Sequence, residues 1–368
     1  MQTIRETLSS LTVRQRWWLG GGVAALLVLI VVLVAVTGSG DAPVETTTTT
    51  VPPQTTSSTT STSTTSTSTT TTAGPTGDLW PLTGLPVADG TLADPILAVK
   101  IDNSTRSRPQ DGLDLADLVF DIPVEGGISR LLTLYQSQVP SEIGPVRSVR
   151  EVDPKLLSPF GAFIAYSGGD SGVVAAIRQV AIDVGHPALG AAAYRRAADR
   201  DAPYDLMLDP GAALVGAQAD VGTASWLSFG EAPSGDPAGT IEIASSNRHQ
   251  VTYGYSATDG GYLRFHGSQP HLAASGEQII ATNVIVLVVE ELETGRTDSS
   301  GSPVPDYDVL GTGEAVVFRD AVAVTGRWER GRLTDFFRFF DESGNQISLA
   351  PGTTWIHLVP EGRTFGWR

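Results

Sequence analysis

The sequence predicts a mixed α/β fold of the α+β kind, placed outside a membrane after one transmembrane helix. Three observations predict it. Residues 17–37 form an uncharged apolar run, and residues 38–77 are dominated by Thr and Ser. Beyond residue 78, short strand-like segments mix with helix signals, then give way to strand-like segments almost alone.

The apolar run WWLGGGVAALLVLIVVLVAV begins at Trp17, and about 20 helical residues suffice to cross a hydrocarbon core of roughly 30 Å. Arg5, Arg14 and Arg16 precede it and Asp41 and Glu45 follow, which predicts a cytoplasmic N-terminus, residues 1–16, and an extracytoplasmic remainder. A cleaved signal peptide is the competing reading, but its apolar core would be shorter and AVTGSG is a poor cleavage site. The Thr/Ser stretch has no apolar face to bury and is expected to be a disordered stalk of residues 38–77.

In the first part of the ectodomain, residues 78–225, the segments PILAVKI, DLVFDIPV, ISRLLTLYQ and AFIAYSG predict strands. Asp170 can cap a helix over SGVVAAIRQV, and Asp209 with Pro210 can open another over GAALVGAQA. The second part, residues 226–368, reads as strands: IEIASS, HQVTYGYS, GYLRFH, TNVIVLVVE, EAVVFRD, AVAVTGRWE, FFRFFD and TWIHLVP, separated by turns such as DGG, GTG and SGN. It predicts an antiparallel sheet.

The chain carries a formal charge of −16 and no cysteine. The first property excludes nucleic acid as a general partner, since phosphate backbones select basic surfaces. The second means that an exported domain holds together by packing alone, without disulfides or a lipid-modified cysteine. Against this acidity, Arg106, Arg108, Arg130, Arg147 and Arg150 fall within or beside the phrases RPQDGL, EGGISR and GPVRSVR. Guanidinium groups gathered by tight turns would offer two-pronged hydrogen bonds to a carboxylate, phosphate or sulfate. Glu125 and Arg130 flank one such turn; they are expected to make either an acid/base site or an internal salt bridge.

Tyr166, Ser167 and Asp170 in YSGGD, and His186 before Pro187, complete the candidate ligand-binding set. GGDSG lacks the order of a trypsin-like triad, because all five histidines follow it. No spacing matches a zinc signature, so neither a metal nor a cofactor is expected.

The phrases PLTGLPV, RPQDGL, ADLVFD, EGGISR, IGPVRSVR and YSGG, then NVIVL, GTGEAVVF, GRW and PGTTWIHLVP, resemble the YerB-like lipoprotein family, a bacterial family of unknown function. The resemblance runs from about Trp80 to Pro360. It implies a two-part extracytoplasmic α/β domain and no established reaction. The chain departs from the family in its anchor, a membrane span in place of a lipidated cysteine, and in Asp121, where the resemblance implies a glutamate.

The resulting expectation is a membrane-anchored, noncatalytic envelope module that binds an anionic ligand or partner through its arginine-lined face. A hydrolase or transferase using Glu125, Asp170 or His186 as acid–base groups is the alternative. A scaffold whose arginines only pair internally is a third.

Overall fold

The computed structural model describes residues 78–87, 95–217, 226–298 and 300–368. The expected cytoplasmic segment, membrane helix and stalk lie outside the described residues. Among the described residues no helix is long and apolar enough to cross a membrane.

In chain order the first segment contains β1 (Leu97–Asp102), β2 (Leu118–Pro123), β3 (Ser129–Tyr135), α1 (Asp153–Leu157), β4 (Phe163–Ala165), α2 (Ser171–Val180), β5 (Ile182–Asp183), α3 (His186–Leu189), β6 (Tyr194–Arg196), β7 (Leu206–Leu208) and α4 (Pro210–Ala213). The second contains β8 (Asp236–Pro237), β9 (Thr240–Ala244), β10 (Gln250–Ser256), β11 (Gly261–His266), β12 (Gln269–Pro270), β13 (Ile280–Ala281) and β14 (Asn283–Thr297). It continues with β15 (Pro303–Asp308), β16 (Gly311–Arg319), β17 (Val322–Arg330), β18 (Arg338–Asp341), β19 (Thr354–Pro360) and β20 (Thr364–Trp367).

The strand and cap expectations hold in type. Asp170 accepts a hydrogen bond from the Gly172 amide at 2.8 Å, and Asp209 accepts one from the Ala212 amide at 3.0 Å. The second of these helices is shorter than expected. It stops at Ala213, and Gly216 takes a left-handed φ of 74° soon after, which a continuing helix does not allow.

The expected antiparallel second part needs a larger correction, because its strands divide between two sheets. One sheet runs β18-β17-β16-β14-β19-β2-β3-β1-β4-β5, with β15 added to β14 and β8 to β17; the other runs β12-β11-β10-β9-β20, with β13 added to β11. Strands β6 and β7 form a separate antiparallel pair. In the large sheet β19 lies parallel to β14 on one side and to β2 on the other. The two segments therefore share one sheet. The reason is visible in β19 itself, where every residue of TWIHLVP is buried, as suits a central strand covered on both faces rather than an alternating one.

Strand alternation then sorts the large sheet's side chains into two cores. Leu118, Phe120 and Ile122 of β2, with Ile356 and Leu358 of β19, pack against Leu156 and Leu157 of α1 and Val173 and Ile177 of α2. Val119, Trp355 and Val359 face the other way, toward Ile241, Ile243, Val251, Tyr253 and Tyr262 of the small sheet. The result is three layers: helices, large sheet and small sheet.

Ile356 is fully buried where β19 meets β2. Ile356→Ala should cost about 2–5 kcal/mol. Because the sheet is shared, calorimetry should show both segments melting together at a lower temperature; two separated transitions would contradict a common core.

Candidate functional site

The EGGISR turn builds the first half of the site. Gly126 and Gly127 have φ of 74° and 73°, a left-handed pair that reverses the chain between β2 and β3 and leaves Glu125 facing Arg130. Arg130 Nη2 donates to Glu125 Oε1 at 3.2 Å and its Nη1 to the Ser148 carbonyl at 2.9 Å. Arg150 Nε reaches Glu125 Oε2 at 2.8 Å, and Arg150 Nη2 also bonds Oε1. One carboxylate thus serves two guanidiniums. Beneath them, buried Asp153 of α1 accepts Lys100 Nζ at 2.7 Å and the Arg150 amide at 2.5 Å, which fixes the GPVRSVR segment to the sheet. Arg147 binds the buried Asp102 carboxylate through Nε at 2.5 Å.

The remaining two arginines lie elsewhere. Arg106, on a one-turn 3-10 helix (Thr105–Ser107), pairs with exposed Asp201 at 3.1 Å. Its guanidinium carbon sits 5.0 Å from the Tyr204 ring centre, and that of Arg147 sits 5.4 Å from the same ring, so Tyr204 joins the two halves of the arginine set. Arg106 and Arg108 line a cavity of about 510 Å³ with Asp111, Glu142, Arg195, Asp199, Arg200, Asp201 and Tyr204. Arg195 and Arg200 there hold Glu142 and Asp111. Half-buried Arg108 differs from all of these. Its Nη2 donates to the Asn103 carbonyl at 2.6 Å, its Nε is buried with no partner, and among the described residues no carboxylate bonds it.

The other expected ligand-binding residues separate from this cavity. Tyr166 is fully buried in the core between helices and sheet, its ring packed against Gly185, so it is a structural residue rather than a contact for ligand. Ser167 Oγ lies 3.3 Å from Ser148 Oγ, beside the Arg130 cluster. Asp170 caps α2 and binds Arg296 at 2.9 Å. His186 opens α3 and packs edge-on against Tyr194, ring centres 5.3 Å apart. The ten candidates do not converge on one pocket.

A second constellation escaped the sequence reading. Asp121 and His357 are register neighbours on β2 and β19, facing the small sheet. From that sheet Arg264, fully buried, donates Nη2 to Asp121 Oδ2 at 2.7 Å, and His249 Nε2 lies 3.0 Å from the same oxygen. Arg264 Nη1 contacts His266 Nε2 at 2.8 Å and His271 Nδ1 at 2.6 Å. Arginine is always a donor, so both of these ring nitrogens accept, and His271 Nε2–H is left to donate to Gln110 Oε1 at 2.9 Å. Gln110 donates to Asn103 Oδ1, Asn103 donates to Ser129 Oγ at 2.8 Å, and Ser129 Oγ lies 3.5 Å from His249 Nδ1. The circuit closes through seven side chains from both segments. It contains a Ser–His–Asp order, yet Ser129 is fully buried and already accepts a hydrogen bond from Asn103, so no substrate reaches its oxygen. The signal that could have located the circuit is a polar residue inside an apolar run: Asp121 in LVFDIPV and His357 in TWIHLVP.

Burial and charge set the protonation of these groups. Burial would raise the Glu125 carboxyl, but the Arg150 hydrogen bonds and the charges of Arg130 and Arg150 outweigh it and hold the group below its usual range. Burial, reinforced by the Arg150 charge, pulls Arg130 down to about 10. Burial and neighbouring Arg264 bring Arg108 to about 10 as well. Burial opposes ionisation of Asp121, but His249, His357 and Arg264 hold it well below the ordinary carboxylate value. His271 is pushed far down by burial and the charges of Arg264 and Arg108, and burial lowers His357 to about 3.

Fold and site together define an α/β domain of two interleaved segments, pinned by a buried polar circuit and bearing a mixed-charge cavity. The chain belongs to the DUF3048 family of proteins of unknown function: residues 82–222 match its N-terminal domain and residues 241–356 its C-terminal domain. It is 26% identical over 299 residues to a Bacillus subtilis (strain 168) protein described as putative lipoprotein YerB, an alignment covering 76% of this chain and 86% of that protein. The crystal structure of YerB protein from Bacillus subtilis has the same fold, with a TM-score of 0.68 and 22% identity over 78% of this chain and 99% of the other.

Two outcomes test this electrostatic layout. Glu125→Gln leaves two guanidiniums around a neutral amide and should lower stability by about 3–5 kcal/mol in denaturant unfolding; an unchanged midpoint would show that Glu125 does not pin the turn. His271 and His357 are held neutral by the fold, so an unfolded chain gains protons there that the folded one lacks. Their contribution is complete above the ordinary histidine value of 6.5 and is lost as pH falls below it, for His357 down toward 3. Stability between pH 6 and 5 should therefore drop with a slope approaching roughly 1.4 kcal/mol per pH unit for each histidine, and His357→Gln should flatten it.

Proposed function

We propose that the chain is a membrane-anchored extracytoplasmic binding module, and that it takes an anionic group in the cavity lined by Arg106, Arg108, Arg200 and Tyr204. Arg108 carries this reading. Arg106, Arg130, Arg147 and Arg150 are each matched to a carboxylate, whereas Arg108 lines the cavity, is half-buried, and among the described residues has one backbone acceptor and no carboxylate. A guanidinium with no carboxylate partner keeps donor capacity for an incoming carboxylate or phosphate oxygen, and such charge-assisted bonds are the strong ones. The uncharged run at 17–37 and the description of the Bacillus relative as a lipoprotein both support anchoring at an envelope membrane, by different chemical means.

The hydrolase reading has less support. Glu125 is held ionised by two arginines, which leaves it ill-suited to exchanging protons near neutrality, and His186 packs against Tyr194. Arg130, Arg147 and Arg150 fit the scaffold role, so the ligand-binding function narrows to the Arg108 side.

With inorganic phosphate and acetate as probes, calorimetric titration of the full chain should show saturable binding that Arg108→Ala abolishes while the melting temperature stays close to that of the parent. Binding that survives Arg108→Ala unchanged would remove the cavity from the proposal.

A further inference from the structure

Three of the phrases that the arginine cavity leaves unused, PLTGLPV, ADLVFD and PGTTWIHLVP, meet at a second cavity. In the large sheet β14, β19 and β2 run parallel, with Asn283, Thr354 and Leu118 in register at their starts, and β3 ends beside them. The residues just before those starts, Thr282, Thr353 and Asp117, line the cavity, together with Ser137 and Gln138 from beyond β3 and Thr83 from PLTGLPV. The Gly352 amide donates to the Thr83 carbonyl at 2.8 Å, which ties two of the phrases together. Only glycine fits at 352: its φ is 140°, and a Cβ there would stand 2.2 Å from Thr282 Oγ1.

The volume of this cavity is about 290 Å³, near the lower end of the roughly 300–1,000 Å³ typical of small-ligand sites, and none of its described lining residues is basic. That composition disfavours an anion and sets it apart from the cavity at Arg108, with which it shares no residue. Its carboxylates are largely occupied. Asp117 Oδ2 accepts the Gln136 and Ser137 amides at 2.6 and 2.7 Å and Oδ1 accepts the Ser137 hydroxyl, while Asp114 Oδ2 accepts Ser275 Oγ at 2.8 Å. The uncharged groups are not. Among the described residues the Thr282 and Thr353 hydroxyls and the Gln138 side-chain amide have no hydrogen-bonded partner, and Thr83 Oγ1, which accepts from the Leu85 amide at 3.3 Å, keeps its own O–H to donate. Each of these groups both donates and accepts. Exposed Leu85 and Pro351 add apolar surface beside them. We infer that this cavity binds a neutral, hydroxyl-rich ligand, a single saccharide unit, whose hydroxyls exchange hydrogen bonds with Thr83, Gln138, Thr282 and Thr353 while its C–H face lies on Leu85 and Pro351. An ammonium group would use the free oxygen of Asp114 but offer the threonine and glutamine donors no acceptor, whereas a polyol offers donors and acceptors together.

The test titrates the full chain with glucose, galactose, mannose and N-acetylglucosamine, and with putrescine as a cationic control, followed by ligand-observed NMR and calorimetry. At least one of the four sugars should bind saturably, putrescine should bind more weakly than that sugar, and Arg108→Ala should leave the sugar's affinity unchanged. Thr282→Val combined with Thr353→Val removes two hydroxyls at nearly constant volume and should weaken that sugar roughly tenfold. Gln138 is exposed, so Gln138→Leu keeps the fold and should weaken the same sugar by about two- to fivefold. Absence of binding by all four sugars, tighter binding of putrescine, loss of sugar binding in Arg108→Ala, or sugar affinity unchanged in both the double valine variant and Gln138→Leu would each overturn the assignment.

Discussion

One oxygen of Asp121 holds the two sheets in register. Oδ2 sits on β2, the strand against which β19 lies, and it receives Arg264 from β11 and His249 from the connection between β9 and β10 of the small sheet. A carboxylate buried so fully would destabilise the domain by several kcal/mol if left alone. Its partners are correspondingly constrained: Arg264 is itself buried, lies 4.8 Å over the Trp355 ring, and reaches the carboxylate only if β11 lies across β2 and β19 at one offset. Hydrophobic packing between the sheets tolerates small slides. This pair does not, and the circuit through His271, Gln110, Asn103 and Ser129 carries the same offset to the loop that bears Arg108.

Arginine has two different uses in this acidic chain. In the EGGISR and GPVRSVR phrases it acts as structural cement: Arg130 and Arg150 share Glu125, Arg147 takes Asp102, and backbone carbonyls accept much of what remains. Around the cavity, Arg106, Arg195 and Arg200 each pair with a carboxylate, and Arg108 does not. The planar fork suits both tasks, since it can satisfy several acceptors from one side chain where lysine offers a single point charge. The two uses meet at Tyr204, whose ring lies close to both Arg106 and Arg147.

Most strands were legible because their signal is local. Runs such as ILAVKI and NVIVLVVE alternate or saturate with apolar residues over a few positions, and Asp170 and Asp209 announce helix starts by chemistry that operates within a turn. The shared sheet was not legible, because nothing local in DLVFDIPV says that its neighbour is TWIHLVP. The same distance hid the site. Asp121, His249, Arg264 and His357 are far apart in sequence and carry no fixed spacing, whereas the arginine phrases are compact and drew attention that their internal pairing only partly repays. Arg108 stood out only when its partners could be compared with those of Arg106, Arg130, Arg147 and Arg150.

The order in which the chain is made gives the parallel pairing of β2 and β19 another meaning. Ribosomes supply about 5–20 residues per second, and about 240 residues separate Leu118 from its partner Thr354; β2 therefore waits on the order of tens of seconds for the strand that will cover its edge. An apolar strand with an open edge is an invitation to pair with another chain. A charged carboxylate in its middle, unwelcome in any intermolecular sheet that lacks an arginine opposite, discourages that pairing until Arg264 and β19 are in place. Asp121 thus guards the strand before the fold is complete and fastens the two sheets afterward.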